Sequence, residues 1–296
     1  MSYKSPIHIL PDYDFTRLNP KGLKRLRKEL SLQFELKQST QIVLNKHTFD
    51  KETLLKNIAE LTENGHFHQQ IFEQPLLLDF LENGNIAFFE STDLATFFEE
   101  QSALGLLDFL RPYFAAQLNQ TIYFLVTNAA YSNLANLKII LAHQENIPTD
   151  YWEGAFVKVH QHLVATKDKL AQLHENNQVF EKRLGWVVAT KAFNQVFHFT
   201  YLKKLAILPY DLDGQLLNLT ETLLHITRDI LQTNQGGNIL KIDKGLLLDI
   251  RDLLAFAYKK MKHKNILDLL SLIDDALKNP YYTIWEMGAL FFRSMS

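Results

Sequence analysis

Hydrophobic positions recur at helical spacing along most of the chain. The clearest case is a helix predicted over residues 20–36, with Asn19 as a suitable N-cap and Pro20 at the first helical position. Its apolar side chains fall at i, i+3, i+7 and i+11, at Leu23, Leu26, Leu30 and Phe34. Similar patterns joined by short connections predict an all-α fold of about ten helices.

Two arrangements of these helices fit the pattern, a multi-helix bundle and a solenoid-like stack of helical hairpins. The pentapeptide Leu-Leu-Asp-Phe-Leu occurs at 77–81 and again at 106–110, which favours a stack. The residues between the two copies do not match, and short leucine motifs recur by chance in a leucine-rich chain. The stack is therefore the less favoured arrangement.

Some segments depart from simple helical spacing. Residues 41–44 are β-branched enough to predict a short strand near the N-terminus, and residues 122–126 fit a helix or a buried strand, with length favouring a helix. Asp50 is expected to cap the start of a helix, and Asn64-Gly65 is expected to end it. Pro112 is expected to break or kink one, and the next helix would then run from about residue 121 to 144.

The longest apolar segment, residues 184–208, is expected to form a central helix surrounded by its neighbours. The clearest internal loop, residues 146–150, gives a boundary near residue 148. The predicted organisation is an N-terminal irregular segment plus basic helix (1–45) packed on the body, an N-terminal helical half (46–148) and a C-terminal helical half (149–296). One continuous domain is the alternative.

Composition excludes several classes of protein. The 296 residues are 47% hydrophobic, carry a net charge of −2 and include no cysteine. Disulfides, thiolate catalysis and cysteine-ligated metal sites are therefore excluded. The first residues lack the pattern of a signal peptide, and no apolar run is long enough to span a membrane. A soluble, cytoplasmic protein without a cofactor is expected.

Histidine is the residue type that most merits a search for chemistry, since the chain holds 11 of them. His66 and His68 follow the expected helix end, where a His-x-His pair can bind a metal; they are weak metal candidates. His160 and His162 have the same spacing inside a predicted helix, which places them about 200° apart and unable to share one ion. Solvated or capping histidines are the preferred interpretation of the first pair.

A ligand pocket is the second hypothesis for a site. His198 lies with Asn194 and Gln195 on the polar strip of the apolar segment 184–208. Glu221 and His225 share one helix face at i, i+4. These five residues are the candidates for an inter-helical pocket that binds a small ligand or performs catalysis. Hydrogen bonding between neighbouring helices is the competing explanation for the polar strip.

The helix over residues 20–36 carries a basic face. Its residues are Lys21, Lys24, Arg25, Arg27 and Lys28. Such a face can contact phosphates or an anionic membrane. A solvated surface is preferred, because no aromatic side chain is interleaved for base stacking and the rest of the chain is not basic.

The leading functional hypothesis is a non-catalytic helical scaffold or protein-interaction protein whose partner is unknown. It depends on the all-α pattern, on the lack of a catalytic motif and on an aromatic C-terminal segment. The candidate interaction surface consists of Tyr281, Tyr282, Trp285, Phe291 and Phe292. The alternative is a ligand-binding protein or enzyme that uses the pocket around His198, Glu221 and His225.

Overall fold

The computed structural model describes residues 3–128, 130 and 132–175, together with isolated positions between residues 204 and 274. The chain divides into two compact units. Unit 1 comprises Met1–Thr121 and Ala142–Ala155, and unit 2 comprises Ile122–Leu141 and Phe156–Ser296. The division predicted from the sequence, with its boundary near residue 148, stays a prediction.

The all-α prediction is confirmed. Residues 3–175 of the described part form nine α-helices and one small sheet. The helices are α1 (Pro20–Lys37), α2 (Lys51–Phe72), α3 (Pro75–Asn83), α4 (Ala87–Ser91), α5 (Leu94–Ala103), α6 (Leu106–Thr127), α7 (Ser132–Ala142), α8 (Thr149–Trp152) and α9 (Val157–Glu175). The predicted strand is β1 (Gln41–Leu44), which pairs antiparallel with β2 (His47–Asp50).

Helix starts follow the side chains expected to cap them. The side chain of Asn19 accepts a hydrogen bond from Gly22 N–H at 2.9 Å, and Asp50 accepts one from Thr53 N–H at 2.7 Å. Each bond satisfies a backbone donor that the first turn of a helix leaves without an intrahelical partner. The starts of α1 and α2 are therefore local consequences of the sequence.

The first core of unit 1 lies between the N-terminal segment, α1, the hairpin and α2. Residues 3–18 include three short 3-10 helices, Pro6–Ile9, Pro11–Tyr13 and Phe15–Leu18. Side chains from all four parts are buried together, at Ile7, Ile9, Leu10, Leu23, Leu26, Leu30, Phe34, Ile42, Phe49, Leu54, Ile58 and Leu61. The irregular N-terminal segment therefore contributes to the first core of unit 1.

A second buried region of unit 1 contains a cluster of aromatic rings. Phe80 of α3 lies 5.0 Å from both Phe89 of α4 and Phe114 of α6, measured between ring centroids. Phe98 of α5 and Tyr151 of α8 extend the cluster at 5.3 Å from each other. Most of these contacts are edge-to-face or tilted, an arrangement that the quadrupole of each ring favours.

The expected helix end at Asn64-Gly65 coincides with a kink in α2. Asn64 has non-helical φ and ψ angles of −123° and 17°, and a second helical segment follows it to Phe72. Gly65 is buried, and a β-carbon there would be in ordinary van der Waals contact with the side chain of Leu18, at 3.4 Å. Burial of His68 and Ile71 holds the chain helical beyond the kink.

Two expected helix boundaries differ from the structure, the break at Pro112 and the helix from about residue 121 to 144. Helix α6 passes through Pro112, which is exposed, because Phe114 and Leu118 beyond it are fully buried. Loss of one N–H at an exposed position does not end a helix that tertiary packing supports. The same helix includes residues 122–126, which are therefore helical, but it ends at Thr127 instead of continuing to residue 144.

Unit 2 is described mainly through the end of α6, α7 and α9. Helix α9 buries Val159 and Leu163. Part of the apolar segment 184–208 is also described: Lys204 and Leu205 are helical and fully buried. The Lys204 ammonium donates a hydrogen bond to the Asn128 carbonyl at 2.5 Å, and burial lowers the pKa of Lys204.

Gly84 provides a test of close packing at the end of α3. It has a φ of +72°, and a β-carbon would lie 2.8 Å from Gln117 Nε2 and 2.9 Å from Thr121 Oγ1. We expect Gly84→Ala to lower the free energy of unfolding by about 2–4 kcal/mol, through backbone strain and overpacking together.

Gly105→Ala is the matched control for this substitution. Gly105 has a similar φ of +70°, but nothing lies within 4 Å of a β-carbon placed there. Gly105→Ala is expected to lower the free energy of unfolding by about 1–2 kcal/mol, through backbone strain alone. Denaturant unfolding of both variants measures the difference, and equal costs would contradict a role for the contacts with Gln117 and Thr121.

Candidate functional site

A buried hydrogen-bond network centres on His68 of α2. The Tyr3 hydroxyl lies 2.9 Å from His68 Nδ1, and His68 Nε2 lies 3.1 Å from Glu60 Oε1. Asn64 Nδ2 donates to the same carboxylate oxygen at 2.9 Å. Because an ionised carboxylate only accepts, His68 Nε2 must carry the hydrogen, and Nδ1 then accepts from the Tyr3 hydroxyl.

The ionisation of this network is set mainly by burial. Burial lowers the pKa of His68, although the hydrogen bond and charge of Glu60 act in the opposite direction. Burial also raises the pKa of the Tyr3 hydroxyl far above its ordinary value. The network is therefore a neutral phenol and a neutral imidazole connected to one carboxylate. Its structural effect is to fix Tyr3 against α2.

A second network joins the N-terminal segment to α3 and the hairpin. Glu82 Oε1 accepts from the Ser5 N–H at 2.7 Å and lies 3.0 Å from His8 Nε2. The His47 ring stacks on His8 with centroids 4.0 Å apart, and Asn45 Nδ2 donates to the His8 carbonyl at 3.1 Å. Burial, followed by the proximity of His8, lowers the pKa of His47.

His66 and His68, the weak metal candidates, do not converge. Both lie inside α2 instead of after its end, so their side chains leave the helix about 200° apart. His66 is exposed beside the Phe67 ring, whereas both ring nitrogens of buried His68 have protein partners. Within the described ranges, no group of three or more His, Asp or Glu side chains is arranged to hold a metal ion.

Unit 1 has a shallow pocket of about 210 Å³ beside the α5–α6 connection. Its lining consists of Ser102, Gly105, Leu107, Asp108, Pro148, Asp150 and Tyr151. Arg111 Nη1 pairs with Asp150 Oδ2 at 3.1 Å, and the Tyr151 hydroxyl donates to the Leu107 carbonyl at 2.5 Å. The tyrosine and Asp150 are therefore already engaged, and among the described contacts no hydrogen bond joins Ser102 to Asp108.

Helix α1 presents an unusual surface on the side opposite its core face. Lys21, Arg25, Lys28, Leu32 and Leu36 are exposed and follow one another at spacings of four, three, four and four residues. We call these five residues the α1 stripe. Leu32 is 55% exposed and Leu36 is 82% exposed. The stripe is thus basic over its first half and apolar over its second.

Sequence reasoning identified the basic residues of α1 but missed the two leucines. A signal was present, because the spacing that relates Lys21, Arg25 and Lys28 continues to Leu32 and Leu36. These leucines fall on the side opposite the face of Leu23 and Leu26, so they cannot join the same core. Exposed apolar residues in a continuous row mark an interaction surface more often than scattered ones do.

Charge along the stripe is only partly neutralised. Glu29 Oε1 accepts from Arg25 Nε at 2.9 Å, and Glu29 Oε2 accepts from Arg17 Nη1 at 2.8 Å. Hydrogen bonds from Arg17 and then Arg25 lower the pKa of Glu29. In the part of the chain that the structure describes, neither Lys21 nor Lys28 takes part in an ion pair.

The remaining candidates lie largely outside the described residues. The pocket candidates there are His198, Asn194, Gln195, Glu221 and His225, and the surface candidates are Tyr281, Tyr282, Trp285, Phe291 and Phe292. Both hypotheses stay predictions. On α9, His160 is exposed with Nε2 at 2.7 Å from Gln215 Nε2, and burial lowers the pKa of His162.

Comparisons with protein-family models, with curated proteins and with solved structures gave no match. Among the described residues, no helix is both long enough and apolar enough to cross a membrane. Functional inference therefore depends on the local chemistry of the surfaces and networks described above.

Tyr3→Phe tests whether the His68 network anchors the N-terminal segment. The substitution leaves the buried Nδ1 of His68 without its donor, and we expect a loss of about 1–3 kcal/mol in the free energy of unfolding. Tyr113→Phe is the control, since Tyr113 packs on Tyr3 but its hydroxyl makes no hydrogen bond in the described residues. Equal losses in denaturant unfolding would refute the anchor.

Stability should also depend on pH through His68. The pKa of His68 is lowered in the folded protein, so the unfolded chain binds its proton first as pH falls. The contribution of His68 is therefore complete above its unfolded pKa of about 6.5 and is lost as pH falls through that value toward the folded pKa.

His68→Gln removes this titration while retaining a polar side chain. Urea unfolding at neutral pH and at mildly acidic pH should show a smaller loss of stability on acidification for the variant than for the unsubstituted protein. Identical losses would show that His68 does not titrate differently in the folded and unfolded states.

Proposed function

We propose that this protein is a non-catalytic helical scaffold that binds a protein partner through the α1 stripe. The exposure of Leu36 and Leu32 beyond three basic residues is the observation that carries the proposal. Covering a leucine side chain contributes about 1.5–3 kcal/mol relative to leaving it in water, so two adjacent leucines are a favourable centre for an interface.

The way in which α1 is packed and capped supports this proposal. Its opposite face is fully engaged in the first core, where Leu23, Leu26 and Leu30 are buried. Asn19 caps the start of the helix, and Arg17 connects the preceding turn to Glu29. A surface on such a rigid element requires little ordering when a partner binds, which reduces the entropic cost of association.

The histidine networks favour a structural interpretation over catalysis. Both connect the N-terminal segment to helices of unit 1, and the phenol and imidazole of the first are held neutral by burial. Neither network contributes to the lining of the described pocket. The alternative function, a ligand pocket around His198, Glu221 and His225, stays a prediction from the sequence.

Site-specific crosslinking tests the proposal. A photo-reactive residue at position 36, introduced in the cells that make this protein, should capture a partner that the same residue at position 104 does not. Leu104 is the matched control because it is also an exposed leucine of unit 1, at 56% exposure.

The captured protein is then purified and titrated against variants. We expect Leu32→Ser with Leu36→Ser to weaken its binding at least tenfold, about 1.4 kcal/mol or more, and Leu104→Ser to leave binding unchanged. Because these leucines are exposed, the variants should unfold within about 0.5 kcal/mol per substitution of the unsubstituted protein. Capture of the same proteins at both positions, or equal affinity of all variants, would contradict the proposal.

A further inference from the structure

We infer that the partner segment is an α-helix with carboxylates along one half of its contact face and apolar side chains along the other. This inference rests on the proposed function and adds the chemistry of the partner. Three features of the α1 stripe support it: its straightness, the order of its charges and the burial of the opposite face of α1.

The spacing of the stripe suits a helical partner. Steps of four, three, four and four residues keep the five side chains in a row nearly parallel to the helix axis, as in the seam of a coiled coil. From Lys21 to Leu36 the row extends about 22 Å at 1.5 Å per residue. A partner helix of similar length can contact all five side chains from one side, whereas a small ligand cannot.

The order of charges specifies the partner's contact face. Lys21 and Lys28 have no ion pair among the described contacts. A carboxylate on the partner can therefore pair with either ammonium group without competing with a carboxylate of this chain. Arg25 is already paired with Glu29 and adds less. Opposite Leu32 and Leu36, only apolar side chains avoid the cost of burying an unpaired polar group. The leucines supply affinity, while the lysines supply register and association rate.

A second copy of this chain does not fit the stripe. In a parallel pair of α1 helices, Lys21, Arg25 and Lys28 would face their own counterparts, and like charges repel. In an antiparallel pair with the stripes in full overlap, Lys21 would lie opposite Leu36 and Arg25 opposite Leu32, and neither would gain a suitable partner. Self-association along the full length of the stripe is therefore disfavoured in both orientations.

An anionic membrane also fits poorly. Helices that lie in a membrane interface insert a broad apolar face and keep their basic residues on the other side. The broad apolar face of α1, with Leu23, Leu26 and Leu30, is already buried within unit 1. The two exposed leucines lie in line with the basic residues. A partner that covers the leucines must therefore contact the basic residues along the same row.

The test uses two designed helical peptides with identical composition. In the block peptide, the contact face carries glutamates over one half and leucines over the other; in the interleaved peptide, the same residues alternate. A block peptide matches the α1 stripe in one orientation only. It is therefore made in both orders, with the glutamates in its N-terminal half for a parallel pair or in its C-terminal half for an antiparallel pair, and the order that binds more tightly is compared with the interleaved peptide. Fluorescence anisotropy with the full-length chain measures the binding of each peptide, alongside vesicles containing phosphatidylserine.

We expect the block peptide to bind at least tenfold more tightly than the interleaved peptide and more weakly as salt increases. Lys21→Glu with Lys28→Glu should weaken binding at least tenfold, and a block peptide with lysines in place of glutamates should restore it. Leu104→Ser is again the control and should bind like the unsubstituted protein. Circular dichroism and thermal unfolding check that each variant folds.

Several outcomes would overturn the inference. The first is that the block and interleaved peptides bind with equal affinity. The second is that the lysine peptide does not restore binding to the Lys21→Glu, Lys28→Glu variant. The third is that the chain binds the vesicles and that Leu32→Ser with Leu36→Ser abolishes this binding. Failure here is distinguishable from failure of the proposed function. A partner crosslinked at position 36 that docks through a basic or uncharged segment would refute the acidic helix and retain the interaction role.

Discussion

The packing of the N-terminal segment onto α2 is the interaction on which unit 1 depends. Ile7, Ile9 and Leu10 are fully buried in a segment with only short 3-10 helices, so its backbone needs hydrogen bonds from elsewhere. Asn45 supplies two of them, to the carbonyls of His8 and Leu10 at 3.1 and 2.6 Å. The segment thereby connects α2, α3 and the hairpin, and α1 completes the core beside it.

This arrangement gives the histidines a structural role. A polar group that enters a core must be hydrogen-bonded, and His68 satisfies the requirement at both ring nitrogens, through Tyr3 and Glu60. His8 satisfies it at Nε2, which lies 3.0 Å from Glu82 Oε1. Burial in turn favours the neutral imidazole of His68. The same network therefore holds Tyr3 against α2, and the lowered pKa of His68 is the physical basis of the predicted loss of stability in acid.

Helix α1 connects the stability of unit 1 to its proposed function. One side supplies Leu23, Leu26 and Leu30 to the core, and this burial fixes which residues face outward. The α1 stripe is thus presented on a helix that cannot rotate without exposing the core. Charge at Lys21 and Lys28 and apolar surface at Leu32 and Leu36 are held in a set order along about 22 Å of helix axis.

The sequence by itself determined the fold class, the start of α1 at Asn19, the start of α2 at Asp50 and the strand at 41–44, because capping and periodicity act over a few neighbouring residues. Only the tertiary structure decided that α2 continues past Gly65 and α6 past Pro112, since distant side chains bury those turns and outweigh local signals. It also decided the partners of His68 and the exposure of Leu32 and Leu36, which depend on segments far apart in the chain.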